Sequence, residues 1–308
     1  MTGILVVGSL NMDLVVRVKE MPQPGETIFG EGFQMAAGGK GANQAIAAAR
    51  SDAKVTMIGK VGADDFGARL RDNLVIDGIN TEHITVDDQA ATGIATITLD
   101  ERGQNSIIVA SGANMQLTPD DVREAWASLE HVDMVVMPLE IPIDCVMEAA
   151  KLAKRDGARV LLNPAPAQSL PKELLANLDL LIPNETELEI ISGMPVSDRA
   201  SAEKAAQVLF ETGVEIIVVT LGADGALLLQ DGRTTHIAAP VVEVVDTTAA
   251  GDSFIGGLAA ALTQGKPIED AVAYASCAGA LAVTKFGAQP SIPMAADVKK
   301  LLSEGKQK

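Results

Sequence analysis

The chain has almost no cysteine: Cys145 and Cys277 stand alone among 308 residues, far apart and without a C-x-x-C pair. A disulfide framework and a thiolate zinc site are not indicated, which leaves both thiols as small buried hydrophobes. Histidine is as scarce. His83, His131 and His236 are scattered, so the sequence offers neither a zinc triad nor a histidine base. Basic charge is short too, with 24 Lys and Arg against 41 Asp and Glu, a formal balance of −17. A sequence-independent grip on nucleic acid or on an anionic membrane needs clustered cations, so neither partner is expected. No apolar run approaches the roughly 18–20 residues of a membrane span. Met1 leads directly into the apolar run 4–7 with no signal-peptide pattern, so a soluble, cytoplasmic protein is expected.

What is present suits a folded α/β protein. Hydrophobic residues at 47% and charged residues at 21% are enough for a sizeable core. Short β-branched runs at 4–7, 55–58, 134–137, 160–162, 180–182 and 216–220 alternate with Ala-rich helical stretches. That alternation predicts a doubly covered, mostly parallel sheet in one domain spanning 1–308. Two segments break the rhythm, an extended stretch interrupted by Pro22, Pro24 and Gly25, and a strand pair turning at 100–103. They predict a small separate sheet, a lid built from about 12–38 and 92–109, which must cover a cleft, meet a partner chain, or both. In the second segment Thr92, Ile94, Thr96 and Thr98 alternate with Gly93, Ala95, Ile97 and Leu99, giving a weakly polar and an apolar face. The tail after Ala295 reads as frayed.

The densest motif is Asp246-Thr247-Thr248-Ala249-Ala250-Gly251-Asp252-Ser253-Phe254, leading into an apolar helix. Small residues at a helix start leave backbone N–H groups uncovered, and with the helix dipole they make an anion site that a phosphate would fit. Asp252 would compete with that phosphate unless it meets a third group, a hydroxyl that attacks the phosphoryl group and gives Asp252 its proton. The alternative is an N-cap at Asp246 or Thr248 with Asp252 as an ordinary first-turn acid. The string alone supports both readings equally.

A second motif is Gly38-Gly39-Lys40-Gly41-Ala42-Asn43-Gln44, whose glycines permit close backbone approach and whose Lys40 and Asn43 suit polyhydroxyl groups. It lacks the spacing of a P-loop. The alternative is a plain glycine-rich entry to a helix with Lys40 solvated. Asn11 and Asp13 follow the first strand and Glu140 follows another, where ligands of open α/β sheets sit, although an Asx turn would use the same residue types. Asn184 and Glu187 have capping-box spacing, while Glu187 beside phosphates could instead serve a hydrated Mg2+. Thr220, Gly222 and Gly225 could touch a nucleotide through backbone groups, or simply turn a hairpin before 226–229.

In order and spacing these strings resemble the ribokinase family of carbohydrate kinases, the PfkB-like group, over essentially the whole chain. Both family signatures, 38–44 and 246–254, are present, and the ribokinase-type members are nearest through Gly8 to Asp13, the GGKGANQ string, Asn163-Pro164-Ala165-Pro166-Ala167, Pro183-Asn184-Glu185 and Gly287-Ala288-Gln289-Pro290. The resemblance implies a Rossmann-like, ribokinase-like fold with a β-sheet lid, and transfer of the ATP γ-phosphoryl group to the 5-hydroxyl of D-ribose. The alternative within the family is another neutral sugar, 2-deoxyribose or fructose. It further implies that Asn11, Asp13, Gly39, Lys40, Asn43, Glu140 and Asp252 bind the sugar, with Asp252 the catalytic base. Ala249, Ala250 and Gly251 would form the anion hole. Asn184, Thr220, Gly222, Gly225, Gly251 and Ser276 would contact ATP, and Glu187 would serve Mg2+ through water. An activating K+ would lie at Asp246, Thr248, Ala282, Lys285, Gly287 and Ser291, and a homodimer would form through the lid. Ala250 and Ser253 are conservative for the signature, whereas Pro138, ahead of Leu139-Glu140, has no N–H to donate.

Rival functions fit less well. A nicotinamide or flavin enzyme needs G-x-G-x-x-G after the first strand, where residues 8–13 hold one glycine. A non-enzymatic sugar-binding module would have no use for Asp252 at an anion site. An adenosine kinase would want aromatic faces, and the sugar loops offer only Phe29 and Phe33. A phosphorylated or acidic sugar would want arginines, and only Arg17 lies in the first lid segment, which favours a neutral sugar.

Overall fold

Strand β1 (Gly3–Val7) has no polar face: Ile4 and Val6 enter one apolar core, Leu5 and Val7 the other. A strand apolar on both sides must be covered on both, and the same alternation sets the whole architecture. The protein is described by a computed structural model over residues 3–305. In chain order the further strands are β2 (Asn11–Arg17), β3 (Gly32–Gly38), β4 (Lys54–Gly62), β5 (Asn80–Asp87), β6 (Gly93–Leu99), β7 (Asn105–Ala110), β8 (Met134–Met137), β9 (Arg159–Leu162), β10 (Leu180–Leu181), β11 (Ile216–Thr220), β12 (Ala226–Gln230) and β13 (Arg233–Ile237). The main sheet has nine strands in the order β13-β12-β11-β10-β9-β8-β1-β4-β5. From β5 to β11 every pairing is parallel, and β12 and β13 add an antiparallel hairpin at one edge.

Helices Lys40–Arg50, Ala250–Thr263 and Ile268–Ala282 close one face of this sheet. Helices Pro119–Ala127, Ile143–Asp156 and Arg199–Phe210 close the other. The tail differs from the frayed end expected. Ala295–Gly305 is a helix, because Ala295 and Val298 are buried and Leu301 and Leu302 pack on the first core at helical spacing. Residues 306–308 of that tail, and Met1 at the other end, lie outside the described residues.

The two irregular segments form one four-stranded sheet, β3-β2-β6-β7, joined by a central parallel pair, β2 with β6. Its register places Asp13, Ala95 and Val109 in one row and Val15, Ile97 and Ile107 in the next row on the same face. The expected apolar face of β6 is therefore the face that carries Asp13. The expected polar face holds at Thr96, which is exposed, but Ile94 on that side packs against the main core. At the far end of β2 the Arg17 guanidinium lies 4.9 Å from the centroid of the Phe286 ring.

Candidate active site

Parallel strands end on one edge of the sheet, and the polar residues picked out from the sequence follow those ends. Asn11 lies beyond β1, Glu140 beyond β8, Asn163 beyond β9, Asn184 beyond β10, and Thr220 closes β11. Open α/β sheets bind ligands at this edge.

Asp252 lies in the first turn of helix Ala250–Thr263 and is 7% exposed. Its two carboxylate oxygens accept hydrogen bonds from neighbouring side chains of one facing helix: Oδ2 from Asn43 Nδ2 at 2.9 Å and Oδ1 from Gln44 Nε2 at 3.1 Å. The N-cap reading of Asp246 and Thr248 does not hold. The capping position is Ala249, in a left-handed conformation (φ 59°) and without a side-chain cap, while Asp246 Oδ1 accepts instead from Thr248 N and Oγ1. Ala250 N–H reaches Thr247 C=O at 3.3 Å and Ser253 N–H closes on Ala249 C=O at 2.8 Å. Between them the Gly251 and Asp252 amides have no acceptor in the helix, and an anion can take that place.

Next to Asp252, the turn from β3 into helix Lys40–Arg50 is shaped by two glycines. Gly39 has φ +89°, and a Cβ there would meet the Asn11 amide nitrogen at 2.7 Å; a Cβ on Gly38 would strike the Asp13 carboxylate. Glu140 Oε2 accepts from Ser9 Oγ at 2.5 Å and from Lys40 N at 3.1 Å, and Leu139 N–H is held by Ala165 C=O at 2.9 Å. The N–H that Pro138 lacks is therefore not needed to fix Glu140. Asn11 Oδ1 accepts from Asn114 Nδ2 at 2.8 Å, and Asn114 also bonds both backbone groups of Leu10, so Asn11 opens β2 rather than an Asx turn.

Charges concentrate here. Burial, then the negative charges of Glu140 and Asp252, push Asp13 up to about 7. Asp252 first, then Glu140 and Glu187, raise Lys40 against the opposing effect of burial, so its ammonium is not a solvated bystander. Burial also raises Glu187, whose carboxylate is engaged with Asn184 N and Nδ2, both at 2.9 Å. The capping-box reading of Asn184 and Glu187 is thus realised.

On the other side of the Ala250 helix start opens a cavity of about 650 Å³. Asn184, Thr220, Gly222, Gly225, Gly251 and Ser276 all line it, and Asn184 and Thr220 are joined by a parallel bridge. The hairpin reading of 220–225 also holds, since β11 and β12 are its arms. Ser276 Oγ is buried without a hydrogen-bond partner. Sequence reasoning missed the apolar stretch Pro240, Val241, Val242 and Val244, which forms one wall. No local signal marks it, since these valines lie in a loop without a motif, and Val241 is fully exposed.

The third cluster is a loop corner. Asp246 N–H bonds Val283 C=O, Asp246 Oδ2 accepts from Gly287 N at 2.9 Å, Lys285 N–H reaches Ala282 C=O, and Ser291 Oγ donates to Ala288 C=O. Asp246 thus bonds Thr248, Gly287 and Val283, while the Ala282–Lys285 and Ala288–Ser291 bonds lie beside this cluster along the chain without a hydrogen bond into it. Against burial, the bonds from Thr248 and Gly287 hold Asp246 below the usual carboxylate range. Hard cations take carboxylate and backbone carbonyl oxygens, and this corner offers both types, each already accepting a hydrogen bond. No group of three or more His, Cys, Asp or Glu among the described residues could hold a metal. No described helix is long and apolar enough to cross a membrane.

Known proteins resemble the chain over nearly its whole length. The family model described as pfkB family carbohydrate kinase matches residues 1–295. A ribokinase of Haemophilus influenzae is 45% identical over 288 residues, covering 94% of each chain. A ribokinase of Staphylococcus aureus is 40% identical over 300 residues, covering 97% of this chain and 99% of that one. The structure of Arabidopsis thaliana ribokinase complexed with ribose and ATP superposes with a TM-score of 0.89 at 35% identity, covering 97% of this chain and 98% of that one.

Proposed function

The chain belongs to the pfkB family of carbohydrate kinases, and on that premise we propose that it transfers the γ-phosphoryl group of ATP to the 5-hydroxyl of D-ribose. The observation that carries this reading is the placement of Asp252, a buried carboxylate between the glycine-rich loop at 38–44 and an uncapped helix start that opens on a cavity of about 650 Å³. The sugar sits among Asn11, Asp13, Gly39, Lys40, Asn43 and Glu140, and the buried, unpartnered Asn43 Oδ1 is ready for a hydroxyl. Asp252 orients the attacking hydroxyl and takes its proton as the new O–P bond forms and the bond to ADP breaks. Of the segment expected to form the anion hole, the Ala250 amide is taken by Thr247 C=O, so the free Gly251 and Asp252 amides, with Lys40, hold the transferring phosphoryl oxygens, whose charge they meet without reorganising.

ATP lies in the cavity against Asn184, Thr220, Gly222, Gly225 and Ser276, its base on the valine wall. Mg2+ would supply neutralisation of phosphate charge, and Glu187, with both oxygens already engaged by Asn184, would be the residue to serve it through water. The Asp246 corner would hold a K+ ion, whose charge would add rigidity to the loop that leads into the anion hole. The small sheet is a lid, hinged where Asp13 lies, and its apolar rows at Ile97 and Ile107 meet the lid of a second copy to form a homodimer. A cytoplasmic location, where ATP is at hand as phosphoryl donor, goes with this reading.

The test is product analysis. ADP release with ribose, 2-deoxyribose and fructose should show the highest kcat/KM for ribose, and the product should be the 5-phosphate. No sugar-dependent ADP release, or a clear preference for another sugar, overturns the assignment.

A further inference from the structure

A chain of amides leads from the sheet to Asp252, and its direction is fixed at the far end. The Ile182 carbonyl can only accept, so Asn163 must turn its Nδ2 toward it, as it does at 3.0 Å. That leaves Asn163 Oδ1 facing Gln44, which must answer with its nitrogen, at 3.0 Å. The same Nε2 then reaches Asp252 Oδ1 at 3.1 Å. Gln44 is fully buried, and its Oε1 has no partner. An unpartnered buried carbonyl is unfavourable, and a Met or Leu would fill the same space without it. The nitrogen end of Gln44 is what the site uses.

We propose that Gln44 is a positioning residue for phosphoryl transfer, holding Asp252 Oδ1 through a hydrogen bond whose direction is set from the Ile182 carbonyl by way of Asn163. Asn43 alone, on Oδ2, would leave the carboxylate free to turn about its own Cβ–Cγ bond. With Gln44 on Oδ1 the plane is fixed, and the oxygen that takes the proton stays aimed at the hydroxyl. The inference rests on the reading of Asp252 as the base.

Gln44→Met removes the donor and keeps the volume. Its kcat is expected to fall about tenfold or more, since small misplacement of a reacting group costs up to ~10²-fold. KM for ribose and for ATP should stay within about threefold. Gln44 acts only through Asp252, so adding Gln44→Met to Asp252→Asn should change the residual single-turnover rate by less than about twofold. Gln44→Glu, isosteric and with an acceptor facing two acceptors, should lose kcat in the same way. Asn163→Ser, outside the helix, should cause a smaller kcat loss by releasing the Gln44 amide. A wild-type kcat in any of the three single variants, or an undiminished Gln44→Met effect in the Asp252→Asn background, overturns the proposal. A fully active Asp252→Asn enzyme overturns the assignment of the base itself, a separate result.

Discussion

Asp252 Oδ2 accepts a 2.9 Å hydrogen bond from Asn43 Nδ2, tying the first turns of two helices whose residues lie 209 positions apart. One motif alone could be a cap or a glycine turn; the bond makes both parts of one site. The carboxylate is thus held among polar donors beside a free helix start rather than on a solvated surface.

Asp252→Asn keeps the packing and can still bond its neighbours, but it cannot accept the proton. Its kcat is expected to fall on the order of 10²-fold or more, with ATP and ribose affinity within a few-fold, as steady-state kinetics and calorimetric titration would measure. A near-wild-type kcat would sink the base assignment.

Asp13 predicts a pH dependence. Its carboxyl is pushed from 3.8 up to about 7, so the folded protein holds this proton more tightly than the unfolded chain. The stabilisation that this gives is complete below the unfolded value and is lost as pH rises from about 4 to about 7. Melting of the sugar-free protein should therefore show Asp13→Asn gaining on the wild type across that window and levelling off above it. Ribose hydroxyls favour the carboxylate, so ribose KM should drop as pH rises through about 7 in the wild type and stay flat in Asp13→Asn. A constant difference in melting temperature from pH 4 to 8 contradicts this account.

Bound K+ should raise kcat or lower KM by stiffening the 246–248 loop ahead of the anion hole. Rates in potassium buffer are expected to exceed those in a tetraalkylammonium buffer, and Asp246→Ala should erase the difference. Equal rates in the two buffers would reject the site.

For the lid, Ile97→Asp or Leu99→Asp puts a charge on the face that carries Asp13. Sedimentation should then show a weakened dimer, and ribose KM should rise more than ATP KM because closure excludes water over the sugar. An unchanged dimer, or a wild-type monomer with full activity, counts against the clasp.

The main sheet was legible because its strands are short, apolar on both faces and separated by helical stretches, a pattern local sequence can carry. The ends of those strands were legible for the same reason: polar Asn11, Glu140, Asn184 and Thr220 each break an apolar run. What remained hidden depends on distant partners. Gln44 meets Asp252 from 208 residues away, and Asn114 brackets Leu10 from 104 away, and nothing local encodes either approach. The parallel join of β2 to β6 escaped for that reason too, since each segment reads alone as a hairpin. The cavity wall at 240–244 was missed because exposed valines carry no motif.

Arg17 and Phe286 connect two parts of the molecule that have no backbone in common. The arginine ends the strand that Asn11 and Asp13 begin, and the ring is the covalent neighbour of Gly287, whose amide grips Asp246. A cation on an exposed ring is worth about 0.5–1 kcal/mol, which alters an open-to-closed ratio by roughly two- to fivefold. A contact that weak is easily broken and easily remade, and while it holds, the strand that begins at Asn11 and the loop that grips Asp246 share one position.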